Sequence, residues 1–299
     1  MPSESQVLEY LYSSMTTMEE ASPTANIILY GESGVGKTKE AMEIAQAITP
    51  PDKKILFVDS HVGWQTLLNH PELQRRTVRI PWENVAQQQA IIQMIDKKAG
   101  RFADFETIVF DEYSSMAKKD LDKVVAARAG DNSGKSDDVG TQPDFYYNTE
   151  RMRRLMEDMF NLNLNLIVVA HMRYDKDNRG VEREGPAFMP KLSTTLREMS
   201  SVVAKMTATQ VTVNDEAIYE RMLQVHPTAR TIAKCRVGGK NGKSLPVMLP
   251  PDEFRPALVE WLNLKRGSDE SDTVYDDLPV ESPETDSGDE NDDPGFTVQ

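Results

Sequence analysis

The chain has 299 residues and a formal charge of −14, with 39% hydrophobic and 7% aromatic residues. This is enough apolar material for one large or two small domains. No run of 18 or more apolar residues occurs, which argues against a membrane-spanning helix. Twelve of the acids lie between Gly267 and Gln299, where there is no Lys or Arg, so the rest of the chain carries only −2 of that charge. The acidity belongs to a tail, and it does not exclude binding to nucleic acid.

Leu8, Leu11, Met15 and Met18 recur at spacings of three and four, which predicts a short helix within residues 1–23. The opening six residues have neither a basic stretch nor an apolar core, so a secretory signal is not expected. The single cysteine, Cys235, leaves no internal disulfide and fits a reducing, cytoplasmic setting. Lys234 and Arg236 flank it and would lower a thiol pKa, but a strand cysteine without a chemical role is the simpler expectation.

Residues 26–30 form a short apolar run that reads as a buried strand. Then follow Gly31, Glu32, Ser33, Gly34, Val35, Gly36, Lys37 and Thr38, a full match to the phosphate-loop pattern G-x-x-x-x-G-K-[ST]. Residues 39–48 read as a helix with Ala41, Ile44, Ala45 and Ile48 on one face. Strand, glycine loop and helix together make an anion site, because backbone N–H groups and the helix N-terminus point at phosphate oxygens. Lys37 is placed to neutralise β- and γ-phosphates, and Thr38 to offer its hydroxyl to Mg²⁺.

Strands are expected at 54–59, 77–80, 107–111 and 165–171, with helices at 85–98 and 145–161. Such alternation predicts a mainly parallel sheet with helices on both faces. Residues 201–213, 218–225 and 231–237 read as strands with few helices between them, extending one sheet edge antiparallel. A last helix is expected over 252–264. Polar, Gly-rich residues 128–140 and charged residues 173–190 read as long loops. Residues 265–299 are too acidic and Ser/Pro-rich to bury a core, and are expected to be disordered. One domain is therefore expected over 24–264.

The apolar run ending in Asp111 fits a strand whose carboxylate holds Mg²⁺. Glu112 follows as the candidate base for an attacking water. His171 ends the next strand, where a polar side chain would read the γ-phosphate. Arg151, Arg153 and Arg154 are expected to pair with Glu150, Glu157 and Asp158.

These motifs resemble the RecA-like P-loop ATPases, and in particular phage-encoded RecA-like single-strand annealing ATPases and related phage nucleotide-binding proteins. The likeness rests on GESGVGKT, on ILFVDS with Gly63-Trp64 after it, on the segment from Gln142 through NLIVVAHMRYD, and on AKCRVGG. It implies an α/β RecA-like core over about residues 24–250 that uses ATP and Mg²⁺, with His171 as γ-phosphate sensor. It also implies a ring or filament in which Lys234 and Arg236 reach a neighbour's nucleotide as trans fingers. Where RecA itself has its catalytic Glu after the second strand, this chain has His61, so Glu112 is the candidate base.

The resemblance places residues 128–144 and 172–190 where RecA-like proteins hold DNA. Arg173, Lys176 and Arg179, with Lys240 and Lys243 further on, are the candidate nucleic-acid contacts. Single-stranded DNA in recombination or replication is the expected partner, and the tail is a candidate docking segment for a replication or single-stranded DNA-binding protein. The alternatives are an AAA-type helicase loader or protein-remodelling switch, and a nucleotide-gated binding module with little turnover.

Overall fold

The computed structural model describes residues 24–131, 140–176, 180–213, 216–239 and 243–265. The expected N-terminal helix, the acidic tail, Arg179 and Lys240 lie outside the described residues. Among the described residues, ten strands form one sheet. They are β1 (Asn26–Gly31), β2 (Lys54–Asp59), β3 (Thr77–Pro81), β4 (Phe105–Asp111), β5 (Asn165–Lys176), β6 (Glu182–Pro186), β7 (Val202–Val213), β8 (Glu216–Gln224), β9 (Lys234–Cys235) and β10 (Met248–Leu249). The helices are α1 (Lys37–Ile48), α2 (Pro71–Gln74), α3 (Val85–Asp96), α4 (Tyr113–Asp131), α5 (Gln142–Phe160), α6 (Pro190–Met199) and α7 (Pro251–Lys265).

The strand order is β10-β8-β7-β1-β5-β4-β2-β3, with β6 on β5 and β9 on β7. From β7 to β3 every neighbouring pair is parallel, whereas β8, β10, β6 and β9 pair antiparallel. An additional strand, β5, thus separates the phosphate-loop strand β1 from β4. This is an α/β P-loop fold, mainly parallel with an antiparallel C-terminal extension.

Alternation along β1 sends Ile27 and Leu29 to one face and Ile28 and Tyr30 to the other. The first face is covered by α1 and α7 through Ala41, Ile44, Ala45, Phe254 and Leu258. The second is covered by α3, α5 and α6 through Ile91, Ile95, Met152, Met156 and Leu192. With both faces covered, the central strands are apolar throughout, which is why periodicity located them. Among the described residues no helix is long and apolar enough to cross a membrane.

Three expectations are corrected. Residues 128–140 are not loop from their start, because α4 runs to Asp131. Its sequence is rich in Ser, Lys and Asp, and its apolar stripe is too weak to read. Residues 173–176 and 182–186, expected as loop, are strand. Met172–Lys176 of β5 pairs with β6 as a hairpin, and α6 starts at Pro190. Asp175 sits opposite Arg183 and Lys176 opposite Glu182, so the hairpin is joined by opposite charges rather than by apolar alternation. Of residues 231–237, only Lys234–Cys235 is strand.

β1 ends at Gly31, in register with His171 on β5 and Met206 on β7. Both neighbours continue: β5 to Lys176, β7 to Val213. The phosphate loop therefore leaves the sheet between two longer strands.

Candidate functional site

The loop from Gly31 to Thr38 leaves β1 and turns into α1. Gly34 (φ +83°) and Gly36 (φ +99°) occupy the left-handed region that side chains with a Cβ rarely adopt. Gly36 is also the N-cap of α1 and accepts the first helical hydrogen bond, from Glu40 N at 3.0 Å. A Cβ on Gly31 would collide with the backbone oxygen of Met206 on β7. The first glycine thus lets two strands pack closely, and the later ones shape the anion cradle.

Lys37 is buried, and its Nζ donates to the carbonyls of Gly31 (3.0 Å) and Glu32 (2.7 Å). Burial holds its pKa below the usual lysine range, partly offset by Glu112, Asp111 and Glu32. The ammonium is therefore held by carbonyls in the cradle where phosphate oxygens bind.

Thr38 Oγ1 donates to the Asp111 carboxylate, 3.1 and 3.0 Å from its two oxygens. Asp111 is buried at the end of β4, in register with Asp59 at the end of β2. Burial, with Asp59 and Glu112 nearby, raises its pKa to about 7, against the hydrogen bond from Thr38. Three carboxylates converging on one cleft call for a cation, and the oxygen donors suit Mg²⁺. Among the described residues no group of three or more His, Cys, Asp or Glu is arranged to hold a metal ion. A cation at Thr38 and Asp111 would therefore complete its shell with water and phosphate oxygens.

Glu112 follows Asp111 with φ +70°, a backbone state that costs a non-glycine residue about 1 kcal/mol. Its carbonyl accepts the first bonds of α4, from Ser115 N (3.0 Å) and Met116 N (3.2 Å). Its carboxylate meets two groups: Ser114 Oγ donates to Oε1 at 2.5 Å, and His171 Nε2 lies 2.8 Å from Oε2. Ser114 Oγ also accepts from His171 N at 3.2 Å. Glu112 and His171 line one cleft of about 340 Å³ with Lys37, Thr38, Asp59, Gly63 and Asp111.

Sequence reasoning passed over four contributors. Ser114 orients Glu112. Arg79 on β3 neutralises Asp59, with Nε at 3.2 Å and a terminal nitrogen at 3.0 Å, and stacks on Trp64 at 5.0 Å. Gly63 has no side chain because a Cβ there would collide with Asp111 Oδ2. Arg221 on β8 donates from Nε to Val35 O of the phosphate loop at 3.1 Å. The basic residue two before the end of β3 was a visible signal; contacts of the other three depend on long-range folding.

The AAA domain family matches residues 24–237, well over half of the chain. The chain belongs to the AAA domain family. It is an ATP-binding P-loop NTPase, a class that typically binds nucleotide together with Mg²⁺. No curated protein matches it. Among solved structures, it is similar to the flagellar accessory protein FlaH from Methanocaldococcus jannaschii, at 12% identity and a TM-score of 0.34, over 66% of this chain and 76% of that one.

The remaining candidates in this AAA domain lie apart from the cleft. Lys234 Nζ donates to the carbonyls of Arg197 (2.7 Å) and Glu198 (2.9 Å), and Arg236 reaches Glu198 O at 3.4 Å. Both cations cap the C-terminal end of α6. They flank the start of β7, whose Val202 pairs with Ile27, so they stand near the sheet edge opposite the phosphate loop. Cys235 between them has its thiol pKa raised by burial, as expected for a strand cysteine without a chemical role. Arg173 pairs with Asp175 at 2.7 Å and Lys176 with Glu182 at 4.0 Å, while Lys243 is exposed. Arg153 pairs with Glu150 and Glu157 as expected, but Arg151 turns to the buried Asp120 on α4.

Asp111 makes stability depend on pH. Its folded pKa of about 7 exceeds the ordinary aspartate value of 3.8, so between these pH values the folded chain holds more protons than the unfolded one. Stability without nucleotide therefore falls as pH rises through that window. Glu40, raised to about 8 by burial and by Glu43 against Arg255, acts in the same direction. Mg²⁺ with ATP favours ionised Asp111. The rise in melting temperature on adding both is expected to grow from pH 5.5 to pH 8 in wild-type protein and to flatten in Asp111→Asn. A rise independent of pH in wild-type protein would contradict this assignment.

Proposed function

We propose that this AAA domain is a Mg²⁺-dependent ATPase that hydrolyses ATP at the cleft between Lys37 and His171. The observation that carries the proposal is the Glu112 carboxylate, held by Ser114 and His171 in the cleft that also contains Lys37, Thr38 and Asp111. Lys37 exchanges its carbonyl partners for β- and γ-phosphate oxygens. Thr38 and Asp111 would hold Mg²⁺, which supplies charge neutralisation across those phosphates. Glu112 takes a proton from the attacking water, and Ser114 keeps its carboxylate aimed. His171 can donate either to Glu112 or to a γ-phosphate, so its choice of partner reports the nucleotide state.

We further propose that turnover is coupled to single-stranded DNA, as in recombination or replication. This rests on exposed aromatic side chains rather than on the charged hairpin, whose Arg173 and Lys176 pair with acids just as Arg151 and Lys191 pair with Asp120 and Glu150. At the start of α5, Phe145, Tyr146 and Tyr147 are 41%, 65% and 56% exposed. Lys191 lies 5.7 Å over the Tyr146 ring and Arg151 5.2 Å over Tyr147. Adjacent aromatics with nearby cations form a platform on which unstacked bases can rest. α4 connects this surface to the cleft. It begins next to Glu112 and packs antiparallel on α5, with Arg128 against Asp144, Asp120 against Asn148 and Tyr113 against Met152.

Glu112→Gln is expected to keep ATP affinity and to lower turnover by about 10²- to 10⁴-fold in a steady-state phosphate-release assay. Undiminished turnover would remove Glu112 as the base. For the polymer, fluorescence anisotropy with single-stranded DNA and protein lacking residues 267–299 should show binding that weakens at least fivefold in Tyr146→Ala/Tyr147→Ala. Absence of binding by the parent protein would leave the ATPase and discard the DNA reading, in favour of a protein partner.

A further inference from the structure

The cleft around Lys37 accounts for phosphates and a cation, but not for the rest of a nucleotide. A second cleft of about 330 Å³ opens on the other side of the phosphate loop. It begins at Gly36 and Lys39, passes Glu43 of α1, and is bounded by Tyr219 and Arg221 of β8 and by Pro250 and Pro251. Alternation along β8 puts Tyr219 and Arg221 on the same side as Leu223, which packs in the cluster on the α1 face. The guanidinium of Arg221 marks the join between loop and cleft. Its Nε donates to Val35 O at 3.1 Å and lies 2.8 Å from the place a Cβ would take on Gly36.

Resting on the ATPase reading above, we infer that this second cleft receives the nucleoside half of the nucleotide, with the Tyr219 ring as the stacking surface for the base. Four observations converge. The cleft is continuous with the phosphate loop at Gly36. Tyr219 lines this cleft and is 62% exposed, so its ring is open to a ligand. The two prolines add apolar faces that suit a planar ring. The charges favour this orientation: Lys39 is paired with Glu43 (3.4 Å), Arg255 with Glu40 (2.7 Å), Glu43 (2.9 Å) and Asp252, and Glu220 adds a further carboxylate to the lining. A neutral base and ribose hydroxyls suit such a lining, and phosphates do not. The phosphates are thereby directed to Lys37, and the base to Tyr219.

The test compares ATP with inorganic tripolyphosphate, each with Mg²⁺, by calorimetry on the full chain. Wild-type protein should bind ATP more tightly than tripolyphosphate. Tyr219→Ala should weaken ATP by about 5- to 150-fold, leave tripolyphosphate unchanged, and be largely rescued by Tyr219→Phe. Three results would overturn the inference: no preference for ATP in wild-type protein, equal loss of both ligands in Tyr219→Ala, or no loss of either. In each of these the ATPase reading stands, because tripolyphosphate still binds the wild-type loop. Wild-type protein that bound neither ligand would overturn the ATPase reading, and this inference with it.

Discussion

The Asp111 carboxylate is buried at the end of a central strand with two other acids close by, and much of the site follows from that charge. Coulomb repulsion among carboxylates in a low-dielectric cleft is costly unless a cation or a proton offsets it. Arg79 relieves Asp59 from the outer strand β3, and Ser114 with His171 holds Glu112. The Asp111 carboxylate accepts from the Thr38 hydroxyl, and burial keeps its pKa near 7. The parallel register Asp59 to Asp111 and the bare Cα of Gly63 are the backbone conditions that bring these groups so close. A metal ion bound there answers a charge imbalance that the fold creates.

The phosphate loop, Asp111, Glu112 and His171 were legible because each is local: a glycine pattern, or the last residues of an apolar strand. The central strands were legible for a related reason, since strands buried on both faces are apolar without interruption. Helix α4 was missed because its contacts are polar and distant, with Lys119 reaching Ser60 O and Lys123 reaching Glu83 O across the ends of β2 and β3. The β5–β6 hairpin was missed because charge pairs, not apolar alternation, join its strands. Lys176 is engaged by such a cross-strand pair and Arg173 by Asp175 on its own strand, and both are residues that a count of basic side chains had offered to DNA. Ser114 and Arg221 carry no pattern of their own; their roles exist only once β4 meets β5, and once β8 folds back along β7 beside the loop.

The architecture also suggests how nucleotide state reaches the surface. β1 stops at Gly31 while β5 and β7 run on, so the loop has a distinct neighbour on each side. On the β5 side His171 touches the Glu112 carboxylate, and α4 runs from that end of the site along α5 with its exposed aromatics. On the β7 side the β8 strand brings Arg221 and Tyr219 against the loop. The proposed phosphate chemistry and base recognition thus fall on opposite flanks of one short strand.

The most direct test of the central claim is a crystal structure with Mg²⁺ and a non-hydrolysable ATP analogue. The account predicts a metal ion bound by Thr38 Oγ1, with Asp111 either coordinating it directly or through one water, and Lys37 Nζ moved from the Gly31 and Glu32 carbonyls onto phosphate oxygens. A nucleotide bound with Lys37 still on those carbonyls, or with no cation near Asp111, would contradict it.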